Sequence, residues 1–381
     1  MTDAEVDDAG RDEDSPKKSW RERLPWTTVV PLVAVLALLG VTGRSLGPVA
    51  NVIVAALLGA SVLAAVHHAE VVAHRVGEPF GSLVLAVAVT VIEVGLILTL
   101  MSSGGDGSKA SLARDTVFAA VMITTNGILG LSVLFGALRH DIVYFNAEGA
   151  GAALATVLTL TTLSMVLPTF TTSATGPQYS NAQLAFAAVS SLALYGLFVL
   201  TQTRRHRDFF LPVTPSGDVV DEDSHADPPT TREAAISLGL LLASLVAVVG
   251  LAKAESPAIE SGVAAARLPA TFVGVIIALL VLAPETLAAV RAARRNRLQT
   301  SLNLALGSGI ASIGLTIPVI AVAGIWLDGP LILGLNSLHL ALFGITALVS
   351  VLTVVPGRAT RLQGAVHLIL LAAFVFLAAV P

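Results

Sequence analysis

Residues 81–101 read GSLVLAVAVTVIEVGLILTLM, an unbroken apolar run whose only formal charge is Glu93. A helix that crosses a bilayer needs about 20 mostly apolar residues, because lipid offers its backbone no hydrogen-bond partner. This stretch meets that length and carries an acid near its middle. Ten further runs of the same kind lie on either side of it. The expected spans are 26–43, 47–66, 81–101, 115–138, 149–170, 182–202, 232–251, 268–290, 301–327, 330–355 and 362–380, separated by breaks rich in Gly, Pro and charge. The chain therefore reads as an all-α polytopic membrane protein with eleven transmembrane helices.

Composition agrees. Of 381 residues, 55 % are hydrophobic and only 13 % charged, whereas soluble domains carry roughly 25 % charge. The absence of cysteine removes disulfide scaffolds, thiolate nucleophiles and cysteine metal sites. With a net charge of -4 and no strongly basic region, nucleic-acid binding has no electrostatic footprint. No HExxH, GxSxG or GxxxxGK[ST] motif occurs, so neither a hydrolytic enzyme nor a nucleotide-driven pump is indicated. Transport energy would then come from an ion gradient, with no cofactor.

Two polar segments punctuate the runs. Residues 1–25 have mixed charge and read as a disordered tail. Residues 203–231 contain Asp218, Asp221, Glu222, Asp223 and Asp227. They read as a solvated acidic linker or as a cation-sensing loop without the ordered spacing of an EF-hand. The linker divides the chain into an extra first helix (26–43), a five-helix set (44–202) and a second five-helix set (232–381). Because five is odd, the second set enters the membrane from the opposite side. Inverted repeats of this kind place an ion site at the midplane between the halves. With a cytoplasmic amino terminus, 17 of the 22 Lys and Arg fall on the inner side, and the carboxyl terminus lies outside. The expected location is the cytoplasmic (inner) cell membrane.

Acids inside a membrane are functional candidates, since burying one costs roughly 2.5–3.5 kcal/mol on insertion scales. Glu93 lies in VTVIEVG (89–95) and Glu285 in VLAPET (281–286). Each falls in the second helix of its five-helix set, and neither has a basic residue within a helical turn. Two facing carboxylates in a partly dry cavity cannot both remain ionised without a counter-charge, which protons or a metal cation supply. Hard cations want oxygen ligands. Thr90, Asn126, Thr286, Asn303, Ser308 and Ser312 offer neutral ones, though such residues also pack and join membrane helices. Pro284 lacks an N–H and frees the carbonyl of Leu280.

These residues carry a resemblance. The stretch from His68-Ala69-Glu70 through Gly77-Glu78-Pro79-Phe80-Gly81 to Thr90-Val91-Ile92-Glu93 resembles the first alpha repeat of the cation/calcium exchanger superfamily. Pro284-Glu285, Arg295-Asn296-Arg297-Leu298-Gln299 and Leu306-Gly307-Ser308 resemble the second. The alpha regions are about 66–137 and 268–327, and the likeness, which spans 26–381, is nearest to the ChaA-type bacterial calcium/proton antiporters. It implies that Glu93 and Glu285 bind the cation (Ca2+, with Na+ or K+ as further substrates) and exchange it for protons. It also implies two gating helices sliding against an eight-helix core. The region around Thr125-Asn126-Gly127 resembles the family's Ser-Asn segment and Gly307-Ser308 its Gly-Ser. The Gly-Asn-Ala that precedes each glutamate in vacuolar members is here Val89-Thr90-Val91 and Val281-Leu282-Ala283, and Thr286 replaces their His, which leaves room for monovalent transport.

Glu70, Glu78, Asp115 and Gln299 are candidates for access or gating. His67, Glu70 and His74 share one helical face, either as an interfacial polar surface or as a proton relay. Asp115 either caps its helix beside Arg114 or sits at the outer mouth, with Gln299 at the inner one. Glu148, at a helix start, suits the helix dipole. The basic cluster of Arg291, Arg294, Arg295 and Arg297 reads as a topological anchor facing anionic lipid. The expected function is a secondary cation/proton antiporter. The alternative is a passive channel that uses the same acids as a selectivity element.

Overall fold

A computed structural model describes residues 25–44, 46–77, 80–102, 110–214, 216, 218, 229–326 and 330–381. The expected tail and most of the acidic linker lie outside the described residues. Among the described residues eleven apolar helices follow one another, in order α1 (Trp26–Val41), α2 (Pro48–Val76), α3 (Phe80–Ser102), α4 (Leu112–His140), α5 (Ala147–Thr169), α6 (Asn181–Arg205), α7 (Thr231–Ala265), α8 (Phe272–Arg294), α9 (Leu298–Ala323), α10 (Ser337–Val354) and α11 (Arg361–Ala379). Ten are long and apolar enough to cross a membrane. With 16 residues, α1 reaches only about 24 Å. The protein is a multi-pass membrane protein. The only strands among the described residues are β1 (Val143–Tyr144) and β2 (Arg358–Ala359), an antiparallel pair that ties the α4–α5 and α10–α11 connections together.

Helix ends moved where polar residues found partners. The second span was expected to stop at 66, yet α2 continues through His67 and His68 to Val76. His68 is buried, with Nε2 2.8 Å from the Thr27 carbonyl and Nδ1 3.3 Å from Ser237 Oγ, so its ring stitches α2 to α1 and α7. The seventh span was expected to end at 251, before Lys253, Glu255 and Pro257. Instead α7 runs 35 residues with Pro257 inside it. That is about 52 Å, against a hydrocarbon thickness of about 30 Å, so one end must emerge where polar groups are tolerated. The expected span at 330–355 begins as an extended stretch. Ile332, Gly334 and Leu335 donate to the carbonyls of Ala110, Pro177 and Met165 before Asn336 caps α10 by accepting from the His339 amide. A side chain at Gly334 would lie 2.7 Å from Pro177, which explains the glycine there. Finally, α4 is not uniform. Ile123–Ile128 forms a π-helical turn inside it, with the Leu129 amide reaching back to the Thr124 carbonyl.

The two five-helix sets pack reciprocally. The first helices, α2 and α7, lie against each other, linked near one end by Arg75 Nη2 donating to Thr231 Oγ1 at 2.8 Å. The third helix of each set contacts the second and fifth helices of the other: α4 meets α8 and α11, and α9 meets α3 and α6. This is the exchange of neighbours that two inverted repeats require. Two large apolar cores result, with a small third cluster of Ile97, Ala113 and Ile320 among the described residues. One joins α4, α5, α6 and α8 to α11, and the other joins α1, α2, α3, α7 and α8. Helix α8 belongs to both cores, through Ala278 and Leu282 on one side and Ile277 and Val281 on the other. The seam between the cores therefore runs along the helix that carries Glu285.

Candidate functional site

Helix α3 delivers Glu93 into the bundle, where the residue is 3 % exposed. Its partners come from α9 in the other repeat. Ser312 Oγ lies 2.7 Å from both carboxyl oxygens, and Thr316 Oγ1 donates to Oε2 at 3.2 Å. Ser308, Ser312 and Thr316 recur every four residues and so share one face of α9. Thr316 went unnoticed in the sequence; its signal was that four-residue spacing from Ser312. Thr90, one turn before Glu93, is buried, and Ser308 is half-buried.

Glu285 stands differently. Its Oε2 is buried without a hydrogen-bond partner. Beside it, Pro284 is held within the helix and cannot donate to the Leu280 carbonyl. The Thr286 hydroxyl donates back to the Leu282 carbonyl at 2.7 Å rather than to the glutamate. Both Glu93 and Glu70 lie within electrostatic reach of Glu285. Among the described residues, neither Glu93 nor Glu285 forms an ion pair. Among the described residues the seam thus holds a carboxylate couple without fixed counter-charge, one member held by two hydroxyls of the other repeat and the other with one buried oxygen unpartnered. No group of three or more His, Asp and Glu that could hold a metal forms among the described residues. A cation here would be ligated by the two carboxylates with hydroxyl and carbonyl oxygens, a donor set that suits hard ions.

The other sequence candidates separate from this couple. The amide of Asn126 points to α10 and α11, donating to Thr346 Oγ1 at 3.0 Å and facing His367 Nδ1 at 3.1 Å. Asn303 donates to the Phe210 carbonyl at 2.7 Å, and its Oδ1 accepts from Gln299 at 2.9 Å. Gln299 in turn accepts from the Asn146 amide at 2.7 Å. This chain latches the α4–α5 connection and the turn after α6 onto the start of α9, at the end of the bundle that carries the acidic linker. Asn146 caps α5 by accepting from the Glu148 and Gly149 amides, which leaves Glu148 exposed in the first turn, where the helix dipole favours an acid.

At the opposite end, Asp115 is hydrogen-bonded and ion-paired in the first turn of α4. Ser111 donates to it at 2.9 Å and the Arg114 guanidinium lies 2.7 Å away. It lines a cavity of about 150 Å3 with Glu260. Glu255, in the part of α7 beyond the expected span, is buried with Oε1 unpartnered. His67, Glu70 and His74 do share an exposed face of α2, and Glu70 lies within reach of the Arg291 charge. Glu78 lies outside the described residues.

Comparisons with known proteins give the same architecture. Residues 46–204 and 236–380, one stretch on each side of the linker, match the family model described as sodium/calcium exchanger protein. The chain is 44 % identical to a putative ionic transporter, y4hA, of Sinorhizobium fredii, covering 93 % of this chain and 96 % of the relative. It is 32 % identical to the sodium-potassium/proton antiporter ChaA of Escherichia coli, covering 91 % and 94 %. Among solved structures it is similar to native YfkE, with a TM-score of 0.70 at 16 % identity, covering 93 % of this chain and all of that one.

Proposed function

We propose that this chain, which belongs to the sodium/calcium exchanger protein family, is a secondary antiporter in which Glu93 and Glu285 bind a metal cation and protons by turns. The observation that carries the assignment is the charge imbalance at the seam. Two intramembrane carboxylates lie within electrostatic reach of each other with no cationic partner, and one keeps a buried oxygen without any donor. Such a site is stable only when something positive occupies it. Protons satisfy it in one state, and a hard cation coordinated by carboxyl, hydroxyl and carbonyl oxygens satisfies it in the other. Occupancy by one excludes the other, which is the coupling an exchanger requires.

Ca2+ is the proposed cargo, with Na+ and K+ as further substrates. The family's description supports calcium, and the Escherichia coli relative is named for sodium and potassium. The excess of Lys and Arg on the linker side supports a cytoplasmic position for that face and for the amino terminus. Transport in the export direction across the cytoplasmic membrane follows from an inward proton gradient. Glu70, on the linker-side half of α2 and within reach of Glu285, is the proposed access group on that face. Purified protein in proteoliposomes with a trapped pH dye tests the reading. Addition of Ca2+, Na+ or K+ singly is expected to drive proton movement with at least one of them. Cation flux without proton movement would instead mark a passive channel.

A further inference from the structure

A second buried polar group lies halfway along α4, on its contacts with α10 and α11. Asn126, Thr346 and His367 are fully buried, and Thr353 nearly so. The Asn126 amide nitrogen donates to Thr346 Oγ1, so its Oδ1 faces His367 Nδ1 at 3.1 Å. An amide oxygen only accepts, so Nδ1 carries the proton and Nε2 accepts from Thr353 Oγ1, also at 3.1 Å. The ring therefore uses both nitrogens to fasten α11 and α10 to α4. The His367 Cβ packs on Gly130, where an added Cβ would lie 2.9 Å from it.

What it fastens is the π-helical turn of α4, Ile123–Ile128. Asn126 lies in that turn. Two residues earlier and on the opposite face, Thr124 meets α9, where a Cβ on Gly309 would stand 2.9 Å from its hydroxyl. Gly309 is three residues from Ser312, which holds Glu93. The same turn also packs against α8, the helix of Glu285. A π turn holds one residue more than an α turn, so its loss would rotate the preceding part of α4 against both ion-binding helices.

We infer that His367 is a positioning residue for the exchange reaction: through Asn126 it locks the π turn of α4 and so sets the spacing of the helices bearing Glu93 and Glu285. This rests on the exchange reading above. The role is geometric and requires no change of protonation at the ring.

The test compares His367→Leu, which removes the ring's hydrogen bonds to Asn126 and Thr353 and its interaction with the Thr125 backbone, with His367→Gln, which can donate at one end and accept at the other. Cation-driven proton movement is measured in proteoliposomes and normalised to folded transporter. In His367→Leu the half-saturating cation concentration is expected to rise about five- to tenfold, the effect of leaving one buried polar group unpartnered, with a smaller change in maximal rate. His367→Gln should return it to within about twofold of wild type. An unchanged half-saturating concentration in His367→Leu would reduce the network to packing glue and overturn the inference. A His367→Gln as impaired as the Leu variant would overturn it as well, by showing that the ring's titration matters. Should the Leu variant fail to accumulate, Thr346→Val removes the acceptor of the Asn126 amide at equal volume. It is expected to raise the same parameter, and no rise would overturn the proposal. Absence of coupled movement in the wild type would instead refute the antiport reading.

Discussion

Glu93 and Glu285 occupy matching places in the two halves, yet their surroundings differ. Glu93 receives hydroxyls at 312 and 316 from the opposite repeat. Among the described residues Glu285 receives no side-chain donor; the neighbouring Thr286 hydroxyl donates to the carbonyl of Leu282 in its own helix. A carboxyl that accepts several hydrogen bonds is partly satisfied before any ion arrives; a bare one is not. On the exchange mechanism proposed here, the difference gives unequal duties to a symmetrical pair, with Glu93 the pre-organised ligand and Glu285 the group whose need for a proton or cation drives occupancy.

Breaking either carboxylate should have the largest effect. Glu285→Gln and Glu93→Gln are each expected to abolish cation-driven proton movement in everted vesicles while leaving the protein in the membrane; normal exchange in either would sever that residue from the site. Next comes the packing that keeps α8 against α4. A Cβ on Gly274 would lie 2.8 Å from the Thr116 amide nitrogen, in backbone rather than flexible side chain. Gly274→Leu is expected to destabilise the fold by about 1–3 kcal/mol, read as a lowered midpoint of thermal unfolding in detergent.

Smaller effects sharpen the contrast between the two acids. Ser312→Ala removes the hydroxyl shared by both oxygens of Glu93. The apparent cation affinity should fall about fivefold, the scale of one hydrogen bond to a charged group. Thr316→Ala removes only the longer contact, at 3.2 Å to one oxygen, and should cost about twofold. Dose–response curves for the two variants check both the direction and the order. A larger loss from Thr316→Ala would invert the description of the Glu93 side.

Much of this was legible in the sequence, for reasons that also mark where legibility stops. The spans and their number follow from lipid's refusal to bond a backbone, and Glu93 and Glu285 follow from the expense of an acid there. Ser312 stood out as one hydroxyl among several, but its bond to Glu93 joins positions 219 apart in the chain, a pairing no local pattern encodes. His367 and Asn126, 241 residues apart, were hidden for the same reason. Asn126 was expected beside the ion, and its amide faces the other way because the π turn sets which face it occupies. Two helices outrun their apolar spans: α2 continues ten residues past 66 through His68, and α7 continues past 251 through Glu255 and Pro257. In the case of His68, partners on two other helices make that possible.

The central claim is that metal and protons compete for one carboxylate couple, and proton release on cation binding tests it most directly. Calorimetric titration of the purified protein with Ca2+, in buffers of differing ionisation enthalpy, counts the protons set free. The wild type should release protons as Ca2+ binds, and Glu93→Gln and Glu285→Gln should each release fewer. Tight Ca2+ binding with no proton release, or release unchanged in both variants, would contradict the account.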